Sequence, residues 1–152
     1  MVVKNEDTIA PNVDLTFYEL MRSTGEELKV SSTAEAIESE QVPACVVSEL
    51  AACLKTDCQE TLKLLRISRS TFYRRKRSGV LSRDEADRVY RCVRLYTFAR
   101  VLFNGDADSA REWLSRPAYA FRSKSPLQHA TTEIGAHEVE TLIGRIQHGI
   151  PS

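Results

Sequence analysis

Apolar residues recur at intervals of three and four positions along most of the chain, which is the spacing of amphipathic α-helices. No segment of the sequence shows the strict alternation of a half-buried β-strand. The pattern therefore predicts an all-α fold. The predicted helices span residues 13–22, 43–54, 59–66, 69–77, 84–102, 109–114, 126–134 and 137–148.

The N-terminal part carries the weakest pattern. The first helix is expected to place Leu15 and Tyr18 on one face. Residues 23–41 are polar and acidic, so we expect a mobile arm or loosely packed helices there. Pro43 suits the first position of the next helix, because the N–H that proline lacks would be unpaired there anyway.

The C-terminal part is interrupted by proline and glycine. Residues 118–125 are expected to form a loop. Pro126 begins a short predicted helix that buries Ile134, and Gly135 is expected to end it. Large apolar residues at helical spacing are assigned to the core, namely Phe98, Phe103 and Trp113.

Capping residues define the middle helices more sharply. Ser68 is expected to cap the helix that ends at Gly79. Ser82 and Glu85 have the spacing of a capping box at the start of the long helix. Asp106 or Asp108 is expected to cap the helix that follows.

Charge is unevenly distributed along the chain. The 152 residues contain 21 basic and 21 acidic side chains, so the net charge is zero. Residues 1–62 hold twelve Asp/Glu and four Lys/Arg, whereas residues 63–83 hold eight Lys/Arg and no acid. Because a block of like charges repels itself, this segment is expected to meet a polyanion.

The basic segment also has the outline of a helix-turn-helix motif. A predicted helix, a turn of about three residues and a second helix follow one another, with Leu62, Leu65, Ile67 and Phe72 as their shared core. A second helix of this kind places its first turns at base edges, while flanking basic residues hold phosphates. An exposed basic face without a ligand is the alternative. The predicted DNA-binding residues are Lys63, Arg66, Arg69, Ser70, Thr71, Tyr73, Arg74, Arg75, Lys76 and Arg77.

Other function classes find no support in the sequence. No apolar run approaches the roughly 18 residues of a membrane span, and the N-terminus lacks a signal-peptide pattern. The four cysteines form no CxxC pair, so we expect free thiols in a cytoplasmic protein and no metal. There is no GxGxxG, phosphate loop or GxSxG, and we predict a non-enzyme without a cofactor.

Four spaced motifs in the C-terminal part carry a family resemblance. They are LSRDEADRVYR (81–91), NGDADSAREWLSRP (104–117), SPLQ (125–128) and TEIGAHEVETLIGRIQHGI (132–150). Over about residues 60–152 the chain resembles the Xre/MbcA/ParS antitoxin family. Many relatives carry glycines between the WLxxP motif and the next proline, where this chain has Arg122-Ser123-Lys124.

The resemblance implies a helix-turn-helix followed by a small helical toxin-binding domain. It also implies a RES-domain toxin that consumes NAD⁺ as the partner, covered at its active site by the C-terminal region, and repression of the antitoxin's own operon. The polar side of the last helix and the tail are the expected contact, because a helix-supported tail enters a cleft at small entropic cost. The alternative is that Arg145 caps helix carbonyls and the tail is frayed. The predicted toxin-binding residues are Glu138, Thr141, Arg145, His148, Ile150 and Ser152.

These expectations combine into one organisation. Residues 1–42 form an acidic N-terminal extension, residues 43–103 the helix-turn-helix region with the long helix, and residues 104–152 the toxin-binding domain. We expect a homodimer, because operators are commonly read as two half-sites about 34 Å apart. The competing interpretation is a stand-alone transcriptional regulator whose C-terminal part dimerises or senses a ligand.

Overall fold

The computed structural model describes residues 12–151 and confirms the all-α fold. One 3₁₀ turn, Tyr119–Phe121, precedes α8, and within the described range the β-type pairing is a single bridge between Pro43 and Val80. The helices are α1 (Val13–Ser23), α2 (Thr33–Glu38), α3 (Val46–Leu54), α4 (Cys58–Leu65), α5 (Arg69–Ser78), α6 (Arg83–Leu102), α7 (Ala107–Ser115), α8 (Pro126–His129) and α9 (Glu133–Gln147).

Helix α6 is the central element of the fold. Its 20 residues pack against α1, α2, α3 and α4 and also against α7 and α9. It buries side chains along its whole length, including Val89, Val93 and Leu95. One contiguous hydrophobic core therefore serves both halves of the chain.

The N-terminal part is better packed than the sequence predicted. Helix α1 buries Phe17 and Met21, whereas the predicted inward residue Leu15 is 52% exposed. The Phe17 ring meets Tyr90 of α6 edge to face at 5.4 Å, and α2 buries Ile37. The expectation of a mobile or loosely packed 23–41 segment is therefore wrong for α2, which packs on α6. Residues 1–11 lie outside the described range.

Pro43 does not begin α3, which starts three residues later at Val46. It lies opposite Val80 instead, because Ala44 N–H donates to the Gly79 carbonyl and Leu81 N–H donates to the Val42 carbonyl. This pairing ties the segment before α3 to the link between α5 and α6.

The caps of the middle helices are confirmed. Ser68 accepts a hydrogen bond from Thr71 N–H at the start of α5, and Gly79 ends α5 with φ of 92°. Ser82 and Glu85 form the predicted capping box at the start of α6. Asp106, the first of the two candidates, caps α7.

Gly135 does not end a helix and lies in the first turn of α9 instead. A Cβ at this position would lie 2.0 Å from the carbonyl oxygen of His129, so α8 and α9 approach too closely for any side chain there. Ile134, predicted to be inward, is 77% exposed. Residues 118–125 are more ordered than a plain loop, because they hold the 3₁₀ turn and bury Phe121.

Within residues 12–151, none of the helices has the length and apolar character needed to cross a membrane.

Candidate functional site

Helix α5 leaves most of its surface to solvent. Phe72 is its buried residue, and Thr71 and Arg75 are half-buried beside it. On the opposite side an exposed stripe has the i, i+3, i+4, i+7 spacing of one helix face. This stripe, called here the α5 stripe, consists of Ser70, Tyr73, Arg74 and Arg77, with Arg69 and Lys76 exposed beside it.

Two of the predicted DNA-binding residues, Thr71 and Arg75, are half-buried and contact other side chains of the protein. The Thr71 hydroxyl lies 2.8 Å from the Ser68 hydroxyl, so Thr71 belongs to the helix cap. Arg75 Nε donates to Glu85 Oε2 at 2.8 Å and to Oε1 at 3.2 Å, and the Glu85 side chain is only 8% exposed. The Arg75 charge is thus compensated by α6, unlike the charges of the α5 stripe.

The basic residues around the motif stay at the surface. Lys63 lies on α4, is 67% exposed and is 3.8 Å from Glu60. Arg66 ends α4 in the left-handed conformation with φ of 54°, and its carbonyl accepts from Arg88 Nη1 at 3.2 Å. Lys76 lies over the Phe72 ring, 5.6 Å from its centre. These contacts fix the turn between α4 and α5 and leave its cations accessible.

The second candidate surface lies on α9, which two arginines hold against α6. Arg94 contacts Glu133 and Glu140 at 2.5 Å each, and Arg91 contacts Glu133 at 3.0 Å. The hydrogen bond from Arg94, together with that from Arg91, lowers the pKa of the Glu133 carboxyl. The buried side of α9 consists of Gly135, Ala136, Val139 and Ile143.

The predicted toxin-binding residues follow the free side of α9. Glu138 contacts the imidazole of His129, and the Thr141 hydroxyl donates to the His137 carbonyl at 2.9 Å. Arg145 and His148 are exposed, and Ile150 is 55% exposed. Ile150 N–H donates to the Arg145 carbonyl and Gly149 is left-handed, so the chain turns back on the helix end. Ser152 lies outside the described residues.

A groove runs between α9 and the 3₁₀ turn. It has a volume of about 390 Å³ and is lined by Ala120, Phe121, Glu138, Thr141, Leu142 and Arg145. Three of the predicted toxin-binding residues, Glu138, Thr141 and Arg145, therefore share one concavity with the 3₁₀ turn. Tyr119, at the start of this turn, is fully exposed and was not predicted.

Arg111 of α7, which was not among the predicted site residues, contacts two other parts of the chain. Its Nε donates to the Cys53 carbonyl at the end of α3, 2.7 Å away, and Nη1 contacts Asp108. Asp108 also pairs with Lys55 at 2.8 Å, and the Lys55 hydrogen bond lowers the pKa of that carboxyl. These contacts join α7 to the end of α3. Trp113, Phe98 and Phe103 are partly buried against the core.

Among the described residues, the Cys, His, Asp and Glu side chains form no group of three that could hold a metal ion. The four thiols are free, and Cys45, Cys53 and Cys58 are at least partly accessible. Burial raises the pKa of the Cys92 thiol to about 12, so it stays protonated and unreactive.

Comparison with known proteins assigns both surfaces to named domains. Residues 34–94 match the antitoxin Xre-like helix-turn-helix domain. Residues 98–149 match the antitoxin Xre/MbcA/ParS C-terminal toxin-binding domain. The second match disfavours a stand-alone regulator.

Three individual relatives agree with these assignments. The chain is 34% identical over 134 residues to an Antitoxin Xre of Photorhabdus laumondii, covering 88% of this chain and 90% of that protein. An Antitoxin Xre of Yersinia enterocolitica is 41% identical over 83 residues, 55% of this chain and 56% of the relative. One from Pseudomonas putida is 36% identical over 74 residues, 49% of this chain and 46% of the relative. The chain therefore belongs to the Xre/MbcA/ParS antitoxin family, as a non-enzymatic type II antitoxin in which a helix-turn-helix precedes a toxin-binding domain.

Proposed function

We propose that this antitoxin neutralises a RES-domain, NAD⁺-consuming toxin with the free side and end of α9, and represses its own operon by binding operator DNA as a homodimer. The observation that supports this is that two separate exposed surfaces, one on α5 and one on α9, are both attached to α6. The cationic α5 stripe lies at its N-terminal end, and α9, with an exposed last turn, is held farther along the same helix. Because operator DNA and an NAD⁺-consuming toxin would both be met in the cytoplasm, we propose that the protein acts there.

The DNA-binding proposal rests on which charges are free to act. Arg74 and Arg77 are exposed on the outward face of α5, and Arg69 lies in its first turn, the part of a recognition helix that reaches base edges. Lys63, Arg66 and Lys76 are exposed around it and are proposed to hold phosphates. Arg75 is proposed to position α5 through Glu85 rather than to contact DNA.

Salt dependence tests the DNA-binding proposal. Arg69→Ala combined with Arg74→Ala is expected to weaken binding to the operon's promoter DNA. Lys63→Ala combined with Lys76→Ala is expected to lower the salt slope by about 2, because each phosphate contact contributes about 0.9 to the slope. Fluorescence anisotropy from about 50 to 200 mM salt measures this. Arg145→Ala, an exposed arginine on the other surface, is the matched control and is expected to bind promoter DNA like the wild type.

The toxin-binding proposal rests on the exposed end of α9. Arg145 can form a two-point contact with a toxin carboxylate, and Ile150 offers an apolar contact beyond it. Residues before Gly144 are held by the core and by the two arginines of α6. The end of α9 is therefore available to enter a cleft while the start stays docked.

Deletion of residues 145–152 tests this role. The truncated antitoxin is expected to stay helical by circular dichroism and to bind promoter DNA, yet to fail to protect cells that co-express the RES-domain toxin of the same operon. Full protection by the truncated chain would contradict the proposal. Co-purification of the intact pair, followed by mass measurement, would give the stoichiometry and test the homodimer.

We retain the domain division at residues 42/43 and 103/104 as part of the proposal. Helix α2 lies before the first of these boundaries, inside the matched helix-turn-helix range, and packs on α6. Deletion of residues 1–42 removes α1 and α2, and is therefore expected to expose the α6 surface and lower the melting temperature.

A further inference from the structure

Residues 118–124 form a closed loop on the surface of the toxin-binding domain. Ala118 N–H donates to the Lys124 carbonyl at 3.0 Å, and Ser123 N–H donates back to the Ala118 carbonyl at 3.1 Å. These two hydrogen bonds join the ends of the loop. Within this loop, Tyr119 is 100% exposed, whereas the next most exposed aromatic side chain, Tyr73 of α5, is 57% exposed.

One aromatic contact holds the loop against α8. Phe121 is 5% exposed, and its ring stacks on His129 of α8 with 4.5 Å between ring centres. His129 in turn contacts Glu138 of α9. The buried Phe121, two positions after the exposed Tyr119, therefore anchors the loop to α8 and limits its movement.

The backbone of the loop is strained. Arg122 has φ of 51° and Ser123 has φ of 64°, so two consecutive residues with side chains adopt the left-handed conformation. This conformation costs roughly 1–2 kcal/mol for each residue other than glycine. The loop keeps this shape at an energetic cost, and such strain clusters at binding and switch regions.

The charge of the loop indicates the kind of surface that it meets. From Trp113 to Thr132 the chain contains no Asp or Glu, while Arg122 and Lys124 are both exposed. The loop also borders the groove that contains Arg145. Tyrosine and arginine are enriched among interface hot spots, and here a fully exposed tyrosine lies in the same loop as two exposed cations. Continuity with the groove places the loop on the same surface as the proposed toxin contacts.

We propose that Tyr119 is a second point of attachment to the toxin, separate from the end of α9. Its ring enters an apolar pocket on the toxin surface, and Arg122 and Lys124 meet carboxylates at the rim of that pocket. The inference rests on the proposed neutralisation of a RES-domain toxin. Because the loop is held in shape before binding, little conformational entropy is lost when it docks.

Two tyrosines provide a matched test in the full-length protein. Tyr119→Ala is expected to weaken binding to the purified RES-domain toxin by at least about 30-fold, as for a hot-spot residue, while binding to promoter DNA stays unchanged. Tyr73→Ala, on the α5 stripe, is expected to leave toxin binding unchanged. Tyr119→Phe is expected to bind toxin within about threefold of the wild type, because the ring supplies most of the contact. Titration calorimetry measures the affinities, and thermal melts confirm that all variants are folded.

The outcomes separate this inference from the function on which it rests. If the wild-type protein does not bind the toxin, the proposed function itself is wrong. If the wild-type protein binds and Tyr119→Ala binds equally well, only the second attachment point is wrong. A change of oligomeric state in Tyr119→Ala, seen by light scattering, would instead make the loop a contact between two antitoxin chains and overturn the proposal.

A charge variant tests the acidic rim. Arg122→Asn with Lys124→Gln removes both cations, and asparagine tolerates the left-handed backbone at residue 122. Toxin association is expected to slow by about fivefold at low salt and by less at high salt, since rim charges act mainly on the association rate. An unchanged rate at both salt concentrations would overturn the acidic rim.

Discussion

Helices α5 and α9 both present exposed residues to a proposed partner, yet they are attached to the protein in opposite ways. Helix α5 has one buried residue, Phe72, and one compensated charge, Arg75, among its ten positions. Helix α9 buries four residues and is held by Arg91 and Arg94 through its first two turns. Its last turn, residues 144–147, contains no buried residue.

The difference matches the ligand that each helix is proposed to meet. A helix that lies in a DNA groove is contacted on several sides, so a single line of attachment leaves the most surface available. A helix whose end enters a cleft needs a fixed base and a free tip. Substitutions at these attachments test the contrast between α5 and α9, beginning with the close packing of α8 against the start of α9.

The largest expected effect concerns Gly135. In Gly135→Ala the new Cβ would clash with the His129 carbonyl, so α8 and α9 must separate. We expect a loss of about 3 kcal/mol in the free energy of unfolding, measured by denaturant titration. Gly144→Ala in the same helix is the control, because a Cβ there meets nothing within 4 Å, and it is expected to gain about 0.5–1 kcal/mol. A stable Gly135→Ala variant would contradict the rigid base.

The next effect concerns the attachment of α5. Arg75→Ala leaves the Glu85 carboxylate buried without its cation, whereas Arg77→Ala removes an exposed charge. Because Arg75 is partly solvated, we expect a loss of about 2 kcal/mol for Arg75→Ala and less than about 0.5 kcal/mol for Arg77→Ala.

Salt titration of DNA binding completes this comparison. Arg77→Ala is expected to lower the salt slope by about 1, and Arg75→Ala is expected to leave it unchanged. An equal decrease in both variants would show that Arg75 contacts a phosphate, in agreement with its prediction as a DNA-binding residue.

A smaller effect is expected in the loop that carries Tyr119. Arg122→Gly or Ser123→Gly removes the left-handed strain, and part of the gain is offset by the greater freedom of glycine in the unfolded chain. We expect each substitution to stabilise the fold by about 0.5–1 kcal/mol in thermal or denaturant unfolding. Destabilisation by both would mean that their side chains make contacts that outweigh the strain.

The smallest effect is expected from acid at Glu133. The arginine hydrogen bonds lower the pKa of this carboxyl in the folded state, so its stabilising contribution is present above the unfolded-state pKa of about 4.3 and is lost as pH falls through the folded value. The stability difference between wild type and Glu133→Gln is therefore expected to shrink between about pH 5 and pH 3. Urea unfolding at several pH values measures it, and a constant difference would contradict the ion pair.

The parts of the fold that depend on neighbouring residues were predictable from the sequence. Ser68, Gly79, Ser82 and Glu85 cap or end helices through contacts within three or four positions, and all four behave as predicted. The family motifs gave the class of protein in the same local way. Helix caps can be predicted from the sequence because the residues that form them are three or four positions apart.

The failures have long-range causes. Both Leu15 with Tyr18 and Phe17 with Met21 have helical spacing in α1, and the contact with Tyr90, far along the chain, selects the second face. Gly135 was interpreted as a helix end because the sequence does not show the His129 carbonyl above it.

The candidate site was limited in the same way. Arg75 resembles its neighbours in sequence, and only the position of Glu85 sets it apart. Tyr119 carries no sequence signal of its exposure. The exposed charges of α5 were predictable, whereas the shape of the groove beside α9 was not.

The continuity of α6 has a consequence for the evolution of the family. The matched domains meet at residues 94–98, in the middle of this helix, which contains neither glycine nor proline. One inserted residue there would rotate everything that follows by about 100° and advance it by about 1.5 Å. Recombination that exchanges toxin specificity between antitoxins must therefore join two half-helices in phase, so viable crossovers are expected to preserve the length of this segment.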